Sequence, residues 1–383
     1  MITKATWEII SLMNEEIIII GNSFSGLGTA IACAKYGYKV KIIAPKNNWG
    51  IVGGLQIAPN GLAALSSLDL KEQILSHAVR LQEVDIKLFE TSVSLSNIFI
   101  SSDKSPYVSI ARQDLFEILL NKCLNNPYIS FVETRVLAIS QRNDATRLML
   151  ETGDVVSAPI IIGADGWSGK TRQFVSPFAR QSDSGYSIYR GIFPASELPS
   201  VLSYPNVQLW LGKSCHLVSY PIQNRRTVNF VFVFSDSAFP SLSIEAIFHN
   251  HPALPMLGNN PDNWHLTQIK QFELLSNWRR GGVTLIGDAA HPMPPHLAQG
   301  AGQSFMDVAC IENNLSNGLT LQESIFDMIT NRMPKVHSVA KKSQLSGTIF
   351  RFNEPAASLR NKIISIAGQT VINDFLKDLW LIA

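Results

Sequence analysis

The chain is short of charge and has no paired cysteines. Only 16% of its 383 residues are charged, and the net charge is +2. Nucleic-acid-binding domains carry a strong basic bias, so a dedicated polyanion binder is excluded. The four cysteines, Cys33, Cys123, Cys215 and Cys310, form no C-x-x-C pair and no zinc spacing. Cysteines scattered through a chain of this length are expected to be reduced and buried, as in a cytoplasmic protein. No apolar run approaches the ~18 residues of a membrane-spanning helix. Residues 1–20 lack the basic start of a secretory signal, and Asn14-Glu15-Glu16 interrupts their apolar stretch. His249 and His251 fall in an expected loop with no acidic neighbour, so no metal site is expected. Internal repeats and low-complexity segments are also missing.

What the chain has is apolar material, 46% of its residues, enough for large cores. Its length suggests about two domains. Ile17 to Ile20 is a β-branched run fit for a buried parallel strand. A Gly-containing turn, an Ala-rich helix to about Tyr36, a cap at Gly37 and a second strand from Lys39 to Ile43 complete a βαβ unit. Met13 stands just before it, and either residues 1–12 extend beyond the fold or Met13 is the native start. Periodicity predicts a helix over 60–80, strands over 82–110 and a helix from Asp114 to Leu124. Strands near 129–138 and 146–151 lead to the apolar run Ala158 to Ile162. Residues 183–235, with Val228 to Phe234 at their centre, read as an antiparallel sheet. From Leu321 onward the pattern is mostly helical.

Three segments carry the chemistry. The first turn reads Gly21-Asn22-Ser23-Phe24-Ser25-Gly26, a dinucleotide fingerprint with Ser at its second glycine. The second strand ends in Ala44-Pro45-Lys46, without the acid that binds the adenosine ribose. The second segment, Ala164 to Thr171, has the loose spacing of a phosphate loop, and Val283 to Asp288 would then hold magnesium. Such loops usually follow the first strand of their domain, and that ATPase reading leaves residues 289–303 unexplained. The third segment, residues 283–303, is an apolar strand ending in Gly287-Asp288, then a Pro-rich run, then Gly300-Ala301-Gly302 opening a helix. A carboxylate at a strand end beside a helix N-terminus can hold a ribityl or ribose chain and the anion next to it.

That third segment resembles the second flavin-binding motif of the FAD-dependent aromatic hydroxylases. Gly163-Ala164-Asp165-Gly166 with Arg172 resembles the family's middle motif, although Gly169 stands where Ser is usual. Gly54 to Asn60 resembles the loop over the flavin, and Ile110 to Leu115 the segment whose arginine contacts FAD. The ending Asp378-Leu379-Trp380-Leu381 is loosely similar to the family's own. The branch acting on salicylate, hydroxybenzoates and 6-hydroxynicotinate looks nearest.

The resemblance implies an α/β fold: a Rossmann-like FAD-binding domain with an inserted antiparallel-sheet substrate domain and C-terminal helices. The expected units are FAD-binding segments 13–80, 111–180 and 273–335, substrate-domain segments 81–110 and 181–272, and a helical end, 336–383. FAD would be held by Gly21, Ser23 and Gly26, by Arg112, and by Asp165 and Gly166. Gly287, Asp288, Pro295, Gly300, Ala301 and Gly302 would complete its site. NADH or NADPH would reduce it, O₂ would form a flavin C4a-hydroperoxide, and the ring of a small aromatic substrate would attack that oxygen.

A base is needed, because a phenolate ring is a better nucleophile than a phenol. His216 and Tyr220 share one strand face by the period of two, roughly 13 Å apart, and could flank one substrate. His-x-x-x-Tyr resembles the pair of the 6-hydroxynicotinate enzymes, and Pro295 to Gly300 is close to their Pro-His-Met-Ala-Gln-Gly. His296 is thus a second catalytic candidate. His291 is expected to steady its turn, Arg190 to bind a carboxylate or bridge domains, and Gln56 to sit near the substrate. A monomer or homodimer is expected. A degenerate relative that binds FAD weakly and serves as a binding protein is the alternative, motivated by Ser23, Ala44 and Gly169.

Overall fold

The computed structural model describes residues 16–46, 53–102, 105–142, 145–239, 243–377 and 379. Met13 and most of the terminal resemblance (Asp378, Trp380, Leu381) lie outside these residues.

β1 (Glu16–Ile20), α1 (Phe24–Lys35) and β2 (Lys39–Ala44) form the opening βαβ unit. Ile17 to Ile20 are buried, and each buried isoleucine contributes roughly 1.5–3 kcal/mol. Gly37, at φ +82°, takes the left-handed conformation that ends α1. Next come β3 (Gly54–Ile57), α2 (Pro59–Ser66), α3 (Lys71–His77) and β4 (Val79–Leu81). The helix predicted over 60–80 is therefore two helices and the start of a strand. Asp69, at φ +57°, breaks it, because a left-handed residue cannot continue a right-handed helix.

β5 (Glu83–Leu88), β6 (Ser94–Phe99), β7 (Tyr107–Ala111) and α4 (Arg112–Leu124) follow. Then come β8 (Ile129–Glu133), β9 (Val136–Arg142), β10 (Ala145–Leu150), β11 (Val155–Ser157), β12 (Ile161–Gly163) and α5 (Lys170–Val175). The strand expected over 129–138 splits at Thr134, whose N–H donates to the Ala44 carbonyl at 3.0 Å. β8 thus stays beside β2 while β9 starts another sheet. The remaining elements are β13 (Gln181–Pro194), β14 (Val207–Leu211), β15 (Cys215–Ile222), β16 (Thr227–Ser235), α6 (Ile244–Phe248), β17 (Trp264–Phe272), β18 (Arg279–Arg280) and β19 (Val283–Leu285). The chain then turns helical in α7 (Gly300–Ser316), α8 (Leu321–Phe350) and α9 (Ala356–Lys377).

A six-stranded sheet, ordered β18-β19-β12-β1-β2-β8, is parallel except for β18. Leu27 of α1, Leu119 of α4 and Phe305 of α7 are fully buried in its apolar core. A seven-stranded sheet, ordered β17-β13-β16-β15-β14-β5-β6, packs Trp210, Phe230, Phe232 and Trp264 into a second core. It is antiparallel except where β14 meets β5, a parallel pair that the alternating pattern of residues 183–235 did not contain. β3, β7 and β4 form a small antiparallel sheet between these bodies of structure, so β7 leaves the company of β5 and β6. α8 starts at a reciprocal cap: Thr320 Oγ1 accepts from Glu323 N–H at 3.3 Å, and Glu323 accepts from Thr320 N–H at 2.8 Å. Three cysteines are buried and unpaired; Cys310 is half-buried, not buried as expected. No helix among the described residues is long and apolar enough to cross a membrane.

Candidate active site

Three loops leave adjacent parallel strands side by side. Ile20 of β1 pairs with Gly163 of β12, and Gly163 pairs with Leu285 of β19. This register brings together the turns after residues 20, 163 and 286, at the edge where open α/β sheets bind ligands. Gly21 takes φ +101°, and a Cβ there would lie 2.4 Å from the Ala164 carbonyl oxygen. At Gly26 it would lie 2.2 Å from the Gly21 oxygen. These two glycines let the first loop press against the second. Gly287, at φ +59°, leaves no room for a Cβ either, which would meet Ser25 Oγ at 2.5 Å.

Ser23, the departure from the fingerprint, is the N-cap of α1: its Oγ accepts from Gly26 N–H at 3.3 Å. The hydroxyl therefore uses an amide that a bare glycine would leave open. Gly169 has a different reason. A Cβ there would lie 2.1 Å from the Asp165 carboxyl carbon. Asp165 folds back over this glycine and accepts from Thr171 N–H at 3.1 Å and from the Thr171 hydroxyl. Desolvation raises the Asp165 carboxyl and the Thr171 bonds pull it back. A carboxylate thus occupies the start of α5, where a phosphate loop would receive phosphate, and Lys170 is exposed. The ATPase reading fails on this geometry. The carboxylate of Asp165 shapes its own loop, and Gly166, at φ +79° with no neighbour within 4 Å, is the open point of that loop.

Arg172 is buried and donates to the carbonyls of Ala289 at 2.9 Å and Ala290 at 3.1 Å. It ties the middle loop to the turn after Asp288. The Asp288 side chain is accessible to solvent yet surrounded by protein, as on the wall of a concave surface. Desolvation raises its carboxyl; His291 and Arg112 oppose that. Arg112 opens α4, its N–H donating to the Gly53 carbonyl at 3.0 Å. Pro295 is exposed, and the turn it opens ends in Ala298 at φ +52°. α7 then begins with no side-chain cap and no acid in its first turn. A Cβ added at Gly300 would meet nothing nearer than Met293 at 3.9 Å, and one at Gly302 nothing nearer than Asn60 and Gln299 at 3.8 Å; Ala301 between them is half-buried. Protein packing does not demand glycine there, whereas close approach of a bound anion to the bare amides would. These residues fit a flavin dinucleotide.

Sequence reasoning missed the support beneath this site. Asp307 of α7 is fully buried and accepts from His291 Nε2 at 2.5 Å, Arg332 Nε at 3.0 Å and Gly287 N–H at 3.3 Å. Burial would raise its carboxyl, but the charge and hydrogen bonds of His291 and Arg332 hold it below its ordinary value. Arg332 lies on α8, so the Gly287-Asp288 turn is fixed by two helices. His291 does steady its turn, through Asp307. The one local signal was an Asp on the apolar face of α7.

The substrate-side candidates divide into two groups. His216 on β15 is buried, its ring 5.3 Å from that of His296 and 5.4 Å from Phe350. Nδ1 of each histidine is buried without a partner among the described residues. Desolvation, then His296 and Arg351, push His216 well below the ordinary histidine range; desolvation and Arg351 push His296 down to about 3. Both imidazoles are neutral at pH 7. Tyr220 lies further along β15 against Gly54, where a Cβ would meet its ring at 2.8 Å. Burial pushes its phenol up to about 12, and Arg112 and Arg190 work against that shift. Tyr220 therefore stands by the Gly54 segment and His216 by His296. Gln56 accepts from the Tyr107 hydroxyl at 2.9 Å, and Arg190 donates to Thr267 at 3.1 Å. Arg351, which sequence reasoning also missed, reaches His296 Nε2 at 3.3 Å.

Comparison with known proteins follows the same line. Residues 14–327 match the family described as FAD binding domain. Over 96% of this chain and 98% of the relative, the chain is 27% identical to 3-hydroxybenzoate 6-hydroxylase 1 of Aquipseudomonas alcaligenes. The fold is similar to that of Klebsiella pneumoniae HpxO complexed with FAD and uric acid (TM-score 0.81, 18% identity, 95% of this chain and 96% of that one). It is also similar to a salicylate hydroxylase substrate complex (TM-score 0.77, 19% identity, 96% of this chain and 95% of that one). The chain belongs to the FAD binding domain family, in its branch of FAD-dependent aromatic-ring monooxygenases.

Proposed function

We propose that this protein hydroxylates a small phenolic acid or hydroxylated azaaromatic, with NADH or NADPH as reductant and O₂ as oxidant. The observation that carries the reading is the neutral His216–His296 pair set against the Pro-rich turn that follows Asp288. Gly21, Ser23 and Gly26 would line the pyrophosphate end of FAD, and Gly166 would leave room beside it. Asp288 would accept from the ribityl hydroxyls, with Gly287 giving the turn its shape. The amides of Gly300, Ala301 and Gly302 would face the anionic edge of the cofactor, Pro295 its ring and Arg112 its flank. Asp165 contributes through the shape of its loop. Bound FAD, once reduced, supplies the activation of O₂.

On this reading the parallel-sheet body holds FAD and the seven-stranded sheet faces the substrate. His216, neutral, takes the phenol proton and makes the ring a stronger nucleophile. An anionic substrate beside it raises its basicity toward the working pH. Tyr220, a protonated phenol, donates a hydrogen bond that orients the ring, and His296 binds a substrate oxygen. The reading also places the protein in the cytoplasm, as a monomer or homodimer.

The test is direct. Protein incubated with FAD should be yellow, and an aromatic acid should stimulate NAD(P)H oxidation with a hydroxylated product. Colourless protein that takes up no FAD at ~10 μM, about the affinity a hundredfold loss leaves to a strong site, supports the degenerate relative instead. His216→Gln should lower kcat by roughly 10²–10⁴ with FAD still bound. An unchanged kcat would remove His216 from the mechanism.

A further inference from the structure

One face of α8 is cut to hold His296. Ser343, Gly347 and Arg351 stand four residues apart, on one side of the helix. Ser343 Oγ donates to the Pro294 carbonyl at 2.8 Å. Gly347 lies under the His296 ring, where a Cβ would come within 2.2 Å of Cδ2 and 2.4 Å of Nε2. Arg351, the C-cap residue, brings Nη1 within 3.3 Å of His296 Nε2. Glycine inside a helix costs about 1 kcal/mol relative to alanine; the seat for the imidazole is a reason for it here.

The chemistry of the last contact has one solution. A guanidinium has only donors and stays charged, so Nε2 must present its lone pair. His296 is then neutral with its proton on Nδ1. That atom is buried and has no partner among the described residues. Arg351 itself is buried, lies 4.0 Å from the Tyr186 ring, and has no carboxylate partner among the described residues. Its place is set from α9: Arg360 donates to the carbonyls of Ile349 at 3.2 Å and Phe350 at 2.7 Å, closing the end of α8.

We infer that Arg351 is a positioning residue: it fixes His296 as the Nδ1–H tautomer, a standing hydrogen-bond donor to the substrate, and leaves proton acceptance to His216. The inference rests on the proposed aromatic hydroxylation for its use, but not for its geometry. The contact thereby gives a structural reason for the different roles proposed for the two histidines. Among the described residues, the charged groups acting on the pair are Arg351 at the end of α8 and Arg360 on α9; Tyr186 on β13 and Cys215 on β15 in turn face Arg351, and Glu90, after β5, faces Cys215.

The experiment is two-bond ¹H–¹⁵N correlation NMR of the FAD-loaded, ¹⁵N-histidine-labelled protein, with His296 assigned through His296→Gln. His296 should be neutral at pH 7 with Nδ1 protonated. Arg351→Lys keeps a donor and should keep this tautomer, whereas Arg351→Met should lose it and let His296 titrate at higher pH. Alongside, kcat/KM should fall about tenfold to a hundredfold in Arg351→Met and recover in the lysine variant. An Nε2–H tautomer or a charged His296 in the parent overturns the inference, even if no variant folds. So does an unchanged tautomer in Arg351→Met. A correct tautomer with no turnover of any aromatic leaves Arg351 as the positioner of His296 and sinks the hydroxylase reading instead.

Discussion

Single residues here act through burial more than through charge count. Asp307 shows it best, a carboxylate with no exposure that joins Gly287, His291 and Arg332. Asp307→Ala leaves the Arg332 guanidinium buried and unpaired, which should destabilise by about 3–5 kcal/mol. Urea unfolding measures this, and a loss below ~1 kcal/mol would mean that the cluster is not coupled. The two buried histidines contribute to the acid limb. An unfolded histidine titrates near ~6.5, while folded His296 titrates at about 3 and folded His216 is also depressed. Between these values the unfolded chain binds protons that the folded protein refuses. Stability is therefore whole above ~6.5 and falls as the pH drops toward the folded values, by up to about 1.4 kcal/mol per unit and per group. A His216→Gln/His296→Gln double variant should lose less urea resistance between pH 7 and pH 5 than the parent. An equal loss would place the acid sensitivity elsewhere.

Elements carry the site because their ends converge. The βαβ start was legible, since a buried parallel strand reads as a continuous β-branched run and Gly37 marks a helix end. The 283–303 segment was legible for the same local reason: strand, turn and helix follow in order. The break at Thr134 and the Asp307–Arg332 link were not, because each depends on a partner from another part of the chain; the split at Asp69 was not, because an aspartate can take either the helical or the left-handed conformation and the periodicity does not say which. Ser23 was legible as a departure, but not as an N-cap. That assignment gives a prediction with two signs. Ser23→Gly should cost only a few tenths of a kcal/mol in stability, yet tighten FAD binding by freeing the Gly26 amide for phosphate. Weaker FAD binding in the variant, read by fluorescence titration, would mean that the hydroxyl itself serves the cofactor. Gly347→Ala gives a second. Alanine normally strengthens a helix interior by about 1 kcal/mol, but here it should displace His296 and lower turnover without loss of FAD.

The whole molecule sets a parallel-sheet body beside a seven-stranded one, with the end of α8, held by Arg360 of α9, against the histidines. Composition excluded a polyanion binder and left open what binds; the registers Ile20–Gly163–Leu285 gather three separated loops at one edge, where the proposed function puts FAD. The central claim is that this edge and the His216–His296 pair together hydroxylate an aromatic ring. The most direct measurement is turnover of hydroxybenzoates and hydroxynicotinates by FAD-loaded protein with NAD(P)H under isotopically labelled O₂. The account predicts a product carrying one labelled oxygen, formed by the parent and strongly reduced in His216→Gln. FAD-loaded protein that oxidises NAD(P)H without a labelled product from any of these rings would contradict it.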